Sequence, residues 1–229
     1  MAASTIANAL GLPRSTLYRL LGVLEEHGFV LHFPEARRYG IGIAAFELSS
    51  GIICQEPLTG LGRPILSALV DRLGESAHLA VLHGRDVVYL IEERAPRRPY
   101  LVTDVGVRLP SQVTASGRAL LATLPKSQLR APFPTGTSFV HRAESGPSTY
   151  GELSRLIEGV RERGFAAEDG DVTEGIASVA VAVADHAGWP AAGIAVSFPR
   201  DTIPVDRWPD LAAEIGRVAA ELSRRIRGR

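Results

Sequence analysis

STIANALGLPRSTLYRLLGVLEEHGFV, residues 4–30, contains two helical segments separated by a tight turn. Ser4 or Thr5 can cap the first helix, since a hydroxyl oxygen accepts the free N–H groups of a first turn. This helix is expected to reach Leu10, where Gly11 ends it. The second segment is amphipathic, because its leucines recur at helical spacing. The stretch therefore predicts a helix, a turn and a second helix.

The second helix also carries side chains that can contact phosphates and base edges. They are Arg14, Ser15, Thr16, Tyr18 and Arg19. The first three stand at the start of the helix, where free backbone N–H groups also favour an anion. A helix that presents such side chains near its N-terminus suits the major groove of double-stranded DNA. These five residues are candidate DNA contacts.

A hairpin is expected directly after the second helix. Residues 29–33 suit a strand, residues 34–36 suit a turn, and Arg37, Arg38 and Tyr39 begin the return strand. Two strands with arginines near the turn are typical of a wing that reaches the phosphate backbone or the minor groove. The alternative is that two packed helices and a hairpin form a core without binding DNA.

The composition excludes several classes of protein. Lys and Arg number 25, as do Asp and Glu, so no net positive charge attracts the whole chain to nucleic acid or to an acidic membrane. Cys54 is the only cysteine, which excludes an internal disulfide and a thiolate-rich zinc site. No stretch approaches the roughly 18 apolar residues of a membrane-spanning helix. We expect a cytoplasmic protein without membrane contacts.

The remaining sequence predicts a larger domain of mixed helices and strands. A helix is expected at 43–50 and another at 58–73, with the domain boundary between them near 51–57. The turn at 84–86 separates two alternating runs and predicts a hairpin. Further strands are expected at 100–103, 165–168, 176–184 and 190–198, and further helices after Thr149 and Pro209. This order suggests an α+β fold whose sheet has one face covered by helices.

A candidate ligand site precedes a helix in the middle of this domain. Its residues are Ser111, Thr114, Ala115, Ser116 and Gly117. Hydroxyl groups and the free N–H groups of a helix start can together hold a carboxylate. The alternative for each hydroxyl is an ordinary hydrogen bond in a cap or strand.

The sequence contains none of the motifs that would indicate an enzyme. The six histidines show no metal-ligand spacing, and neither a G-x-S-x-G elbow nor a nucleotide-binding glycine fingerprint is present. We therefore expect no catalytic residues, no metal and no cofactor.

Three further stretches, together with residues 4–30, resemble the IclR family of bacterial transcriptional regulators. They are LGESAHLAVLHGRDVVYLIEE (73–93), VGVRLPSQVTASGRALLATLP (105–125) and RGFAAEDGDVTEGIASVAVAVADHAGWPAAGIAVSFP (163–199). The resemblance implies a winged helix-turn-helix DNA-binding domain at 1–42, a helical linker at 43–57 and a GAF-like effector-binding domain with a helix-covered antiparallel sheet at 58–229. It assigns the recognition role to the five residues of the second helix and the wing contacts to Arg37 and Arg38.

The same resemblance adds residues to the ligand site. They are Glu168, Ile176, Ser178, Ala195 and Ser197. It implies a small-molecule effector. We expect this effector to be a small organic or aromatic acid that controls binding to a DNA operator by a homodimer or a dimer of dimers. Family members usually carry one more helix before Ser4, and this helix is absent from the sequence. The alternative function is therefore an effector-binding sensor that no longer binds DNA.

Overall fold

The computed structural model describes residues 2–34, 38–41, 43–98, 101–133, 139 and 146–226, with only the backbone described at 41 and 43–57. The chain divides into two compact units, an N-terminal unit of residues 1–57 and a C-terminal unit of residues 58–229.

The N-terminal unit contains helices α1 (Ala3–Leu10) and α2 (Arg14–Glu26) and strands β1 (Val30–Phe33) and β2 (Arg38–Ile41). Gly11 ends α1 in the left-handed conformation at φ 64°, as expected. The expected cap at Ser4 or Thr5 is wrong, because both residues lie inside the first turn. The helix starts earlier because Ala2 is held in a bridge to Arg38, so the chain is extended up to that point.

A small core joins α1, α2 and the hairpin around Ala7, Leu17 and Leu21. Leu20 and Leu24 were expected on the same buried face, but they are 44% and 40% exposed. The reason is that the small core contacts only one side of α2. Strands β1 and β2 pair antiparallel from Val30–Ile41 to Phe33–Arg38, which forms the expected hairpin.

The helix that follows the hairpin is continuous. Helix α3 covers Ile43–Leu73, so the expected interruption near 51–57 is wrong. Pro57 and Pro64 each remove one backbone N–H donor, and the helix continues through the residues around them.

The C-terminal unit is built on a six-stranded antiparallel sheet with the strand order β5-β4-β3-β8-β7-β6. Its strands are β3 (Ser76–His83), β4 (Asp86–Glu93), β5 (Arg108–Pro110), β6 (Ala166–Asp169), β7 (Ile176–Ala184) and β8 (Pro190–Pro199). The expected strand at 100–103 is wrong: Tyr100 lies outside the described residues, and 101–103 is irregular. Strand β5 was missed because three residues are too few to show an alternating pattern.

Helices cover both faces of this sheet, so the expectation of one covered face is wrong. The helices are α4 (Ala115–Thr123), α5 (Lys126–Leu129), α6 (Tyr150–Arg163) and α7 (Trp208–Ile226), the last preceded by a 3-10 turn at Val205–Arg207. The second half of α3 and α7 pack on one face through residues such as Val179 and Ile194. Helices α4 and α6 pack on the other face through Ala166, Ala180 and Ala195. Helices pack on both faces of the sheet because the central strands carry apolar side chains on both sides.

Helix α6 begins after Thr149, as expected, and Thr149 caps it. Thr149 Oγ1 accepts a hydrogen bond from the N–H of Glu152 at 3.2 Å, and Glu152 Oε2 accepts one from the N–H of Ser148 at 2.8 Å. Gly164 ends the helix at φ 81°.

Candidate functional site

A row of polar side chains crosses the sheet on the face that α4 covers. Glu168 on β6 pairs with Ser178 on β7, and Ser178 pairs with Ser197 on β8. The Ser178 hydroxyl donates to Glu168 Oε1 at 2.6 Å and lies 2.9 Å from Ser197 Oγ. All three residues are buried. A continuous hydrogen-bonded row therefore connects three strands.

The next row on the same face is small and mostly apolar. Ala166, Ala180 and Ala195 pair in register across β6, β7 and β8, and His78 on β3 is opposite Ala195. Methyl side chains allow a close approach of α4, since Ala115 and Ala119 belong to the same buried cluster. His78 is the polar member of this row.

The first turn of α4 is directed at this face. Thr114 caps the helix by accepting the N–H of Gly117 at its Oγ1, at 3.1 Å. Ser116 is 1% exposed, and its hydroxyl has no hydrogen-bond partner among the described residues. A buried hydroxyl without a partner is costly, and a bound ligand can supply the missing bond.

A narrow cavity, partly open to solvent, lies between α4 and the two rows. Eight residues expected in the ligand site line it. They are Thr114, Ala115, Ser116, Glu168, Ile176, Ser178, Ala195 and Ser197.

Ser111 and Gly117 were also expected in the ligand site but do not line this cavity. The hydroxyl and the N–H of Ser111 both donate to the carbonyl oxygen of Arg85, at 2.6 and 2.9 Å. A Cβ atom on Gly117 would lie 2.3 Å from the carbonyl oxygen of Ser111. Both residues therefore serve the close packing of the segment that leads into α4.

Seven residues of the cavity wall were not predicted from the sequence. They are His78, Tyr89, Leu101, Val102, Thr103, Val172 and Thr173. Residues 101–103 and 172–173 are irregular, so no periodic pattern marks them. His78 carried a usable signal, because it is a polar residue in the middle of an apolar strand.

Glu168 is the titratable carboxyl group of the cavity. Its Oε2 accepts a hydrogen bond from the N–H of Asp171 at 3.0 Å. Burial raises the pKa of Glu168 to about 7, against the opposing effects of the Ser178 hydrogen bond and the positive charge of Arg118. The carboxyl group is therefore divided between its neutral and ionised forms near neutral pH.

Arg118 connects α4 to the loop beside this carboxyl group. Its guanidinium donates to the carbonyl oxygens of Gln112 and Ala167, each at 2.8 Å, and to Asp171 Oδ2 at 2.5 Å. The Arg118 side chain is 4% exposed. This buried ion pair fixes the first turns of α4 relative to β6.

The candidate DNA-contacting residues lie on the surface of the N-terminal unit. Arg14, Ser15, Tyr18 and Arg19 are exposed on α2, and Thr16 is half-buried. Arg38 is exposed at the start of β2, whereas Arg37 lies outside the described residues. The α2 surface presents two guanidinium groups and an aromatic hydroxyl to solvent.

Two absences apply to the described ranges. No helix there has the length and apolar character needed to cross a membrane. No group of three or more His, Cys, Asp or Glu side chains in those ranges could hold a metal ion.

Comparisons with known proteins match both units. The profile described as "Bacterial transcriptional regulator IclR C-terminal" matches residues 50–224, and that of the "IclR helix-turn-helix domain" matches residues 1–32. The "Probable transcriptional regulator SauR" of Cupriavidus necator is 30% identical over 96% of this chain and 86% of its own length. The "Transcriptional repressor IclR" of Escherichia coli is 27% identical over 97% of this chain and 82% of its own. The crystal structure of the Thermotoga maritima IclR is similar with a TM-score of 0.70 and 26% identity, covering 99% of this chain and 91% of that one.

Proposed function

This chain belongs to the IclR family of bacterial transcriptional regulators, and we propose that the cavity beside α4 is its effector site. The protein is a DNA-binding transcriptional regulator under the control of a small-molecule effector. Its relatives are transcriptional regulators and not enzymes. We also propose the chemical class of the effector, the residues that contact it and the residues that contact DNA.

The effector is a small carboxylic acid. The observation that carries this assignment is the buried, unpartnered hydroxyl of Ser116 in the first turn of α4, inside the cavity. The N-terminus of a helix favours negative charge through its free N–H groups and its dipole. A carboxylate of the effector accepts the Ser116 hydroxyl and N–H groups of this turn.

Glu168 is compatible with an anionic guest because its pKa is about 7. An ionised carboxylate in the same cavity would repel the effector, whereas the protonated form can donate a hydrogen bond to it. Ser178 and Ser197 add hydroxyl groups on the sheet side of the cavity. Together these groups let a buried carboxylate keep its hydrogen bonds.

The cavity also limits the size of the effector. The open space between α4 and the sheet is narrow, which suits an acid of a few non-hydrogen atoms. An aromatic acid needs a wider cavity. The irregular segment 101–103, which forms part of the wall, would have to move outwards to admit it.

Operator contacts are proposed for α2 and the hairpin. Arg14, Ser15 and Thr16 stand at the N-terminal end of α2, with Tyr18 and Arg19 one turn later. A single helix reads only a few base pairs, so two copies of the chain would bind half-sites about 34 Å apart. The effector controls this binding by favouring one arrangement of the two copies.

A thermal-shift titration of the full chain tests the effector site. Formate, acetate, propionate and benzoate are the probes, because a ligand that binds the folded state raises its melting temperature. We expect at least one acid to stabilise the wild type, and Ser116→Leu and Ser178→Leu to lose this effect. Ser127→Leu, an exposed serine on α5, is the control that keeps it. Stabilisation that survives in both cavity variants, or no stabilisation by any acid, would overturn the proposal.

A further inference from the structure

The cavity contains a second buried polar group, the His78 imidazole, apart from the Glu168 row. His78 is fully buried and lines the cavity. Its Nδ1 lies 3.2 Å from the Thr103 hydroxyl, and its ring meets the Tyr89 ring edge-on with the centroids 5.9 Å apart. Its Nε2 has no hydrogen-bond partner among the described residues. One ring nitrogen is therefore used by the protein, and the other remains available.

The imidazole is neutral. Burial lowers the pKa of His78 to about 3, with a smaller contribution from the positive charge of Arg94. A neutral imidazole has one N–H donor and one acceptor nitrogen. Since Thr103 engages Nδ1, Nε2 is left to donate or to accept one hydrogen bond, according to the tautomer. Leaving it without a partner in a buried site is costly.

The position of His78 separates it from the other polar groups of the sheet. In register, His78 is opposite Ala195, and the row continues through Ala180 and Ala166. The hydroxyl and carboxyl groups of Ser197, Ser178 and Glu168 occupy the neighbouring row. The lining thus contains two buried polar atoms that have no partner among the described residues, Ser116 Oγ on α4 and His78 Nε2 on β3.

We propose that His78 is a specificity-determining residue, whose Nε2 hydrogen-bonds a hydroxyl group carried by the same short acid that α4 holds through its carboxylate. The effector is then a short hydroxy acid rather than a plain alkyl acid. This inference rests on the proposed function, because it assumes that the acid binds in this cavity. A role of His78 limited to holding Thr103 would affect plain and hydroxylated acids equally.

The affinities for matched acids distinguish a specificity role of His78 from a role limited to holding Thr103. Propionate is compared with lactate and with 3-hydroxypropionate by calorimetric titration of the full-length protein. One added net hydrogen bond is worth about 1 kcal/mol, so we expect one of the two hydroxy acids to bind roughly fivefold more tightly than propionate. In His78→Phe, we expect the ratio of the affinity for the hydroxy acid to the affinity for propionate to fall to about one, while propionate still binds. His83→Phe, a matched change at an exposed histidine at the end of the same strand and outside the cavity wall, keeps the preference.

A measurement on the wild type avoids any dependence on the folding of the variants. The ¹⁵N resonance of His78 Nε2 is expected to shift when the preferred hydroxy acid binds and to stay in place with propionate. Equal binding of plain and hydroxylated acids, or an unchanged preference in His78→Phe, would overturn this inference and leave the effector site intact. Absence of binding by all three acids would contradict the proposed acid site, and the inference with it.

Discussion

Ser178 and Glu168 face each other across β6 and β7, and the serine hydroxyl donates to the carboxyl oxygen at 2.6 Å. The second carboxyl oxygen accepts the N–H of Asp171. These bonds favour the ionised form, yet the pKa of Glu168 is raised to about 7 because burial outweighs them. The cavity therefore holds a group that titrates near neutral pH.

The first prediction concerns the pH dependence of stability. The pKa of Glu168 is about 7 in the folded chain and near its ordinary value of 4.5 when unfolded, so the folded chain binds more protons between these values. The contribution of Glu168 to the free energy of unfolding is fully present below about pH 4.5 and is lost as the pH rises through 7. At 1.36 kcal/mol per pKa unit, the loss is about 3 kcal/mol.

Urea unfolding of the wild type and Glu168→Gln at several pH values measures this loss. We expect the wild type to lose stability relative to the variant between pH 4.5 and 7 and to change little relative to it above pH 8. A constant difference between the two proteins across this range would show that Glu168 does not titrate as described.

The second prediction concerns the close approach at Gly117. A Cβ atom there would lie 2.3 Å from the carbonyl oxygen of Ser111 and 2.4 Å from its Cα, both backbone atoms. We expect Gly117→Ala to lower the free energy of unfolding by about 1–3 kcal/mol or more, as overpacking does. Gly159→Ala is the matched control, because Gly159 lies inside α6 with open space at its Cβ position. This change should raise stability by about 0.5–1 kcal/mol. Equal effects of the two changes in urea unfolding would contradict the packing role of Gly117.

The third prediction compares two ion pairs. Arg118 and Asp171 form a buried pair, whereas Arg200 and Asp169 form a pair at 2.9 Å whose arginine is 64% exposed. Removing one partner of a buried pair costs about 3–5 kcal/mol, and removing an exposed one costs about 1 kcal/mol or less. We expect Asp171→Asn to destabilise the chain far more than Arg200→Ala. The urea midpoints give the comparison, and similar shifts would rule out a structural role for the buried pair.

The fourth prediction concerns the cations of α2. Each lysine or arginine that contacts a phosphate contributes about 0.9 to the slope of log affinity against log salt. We expect Arg14→Ala and Arg19→Ala to weaken DNA binding and to reduce this slope by up to about one unit each. Arg155→Ala, an exposed arginine on α6, is the control. Fluorescence anisotropy at several salt concentrations measures the slopes, and unchanged slopes in both α2 variants would remove them from the interface.

Most of the fold followed from local patterns in the sequence. The leucine spacing and Gly11 predicted α1 and α2, alternation predicted β3 and β4, and the strands expected at 176–184 and 190–198 correspond to β7 and β8. Local patterns failed where tertiary contacts decide the outcome. The interruption expected near 51–57 is absent, because the long α3 continues through it. The order of strands and helices predicted one covered face, whereas the strands are apolar on both faces and helices cover both sides of the sheet.

The candidate site was predictable where chemistry and position coincide. Hydroxyls before a helix indicated Thr114 and Ser116, and the family resemblance added Ser178 and Glu168. The sequence does not contain the register that brings His78 opposite Ala195. Residues 101–103 join the wall through an irregular segment, whose course depends on the rest of the fold and not on its own periodicity.

The central claim is that occupation of this cavity controls binding to DNA. It is tested by the affinity of the full chain for a duplex that it selects from a random library, measured with and without the acid that stabilises it most. For the wild type, we expect the acid to change the dissociation constant at least fivefold, a typical coupling between two sites. In Ser116→Leu the acid should leave the constant unchanged. A wild-type affinity that does not respond to the bound acid, or an equal response in Ser116→Leu, would contradict the account.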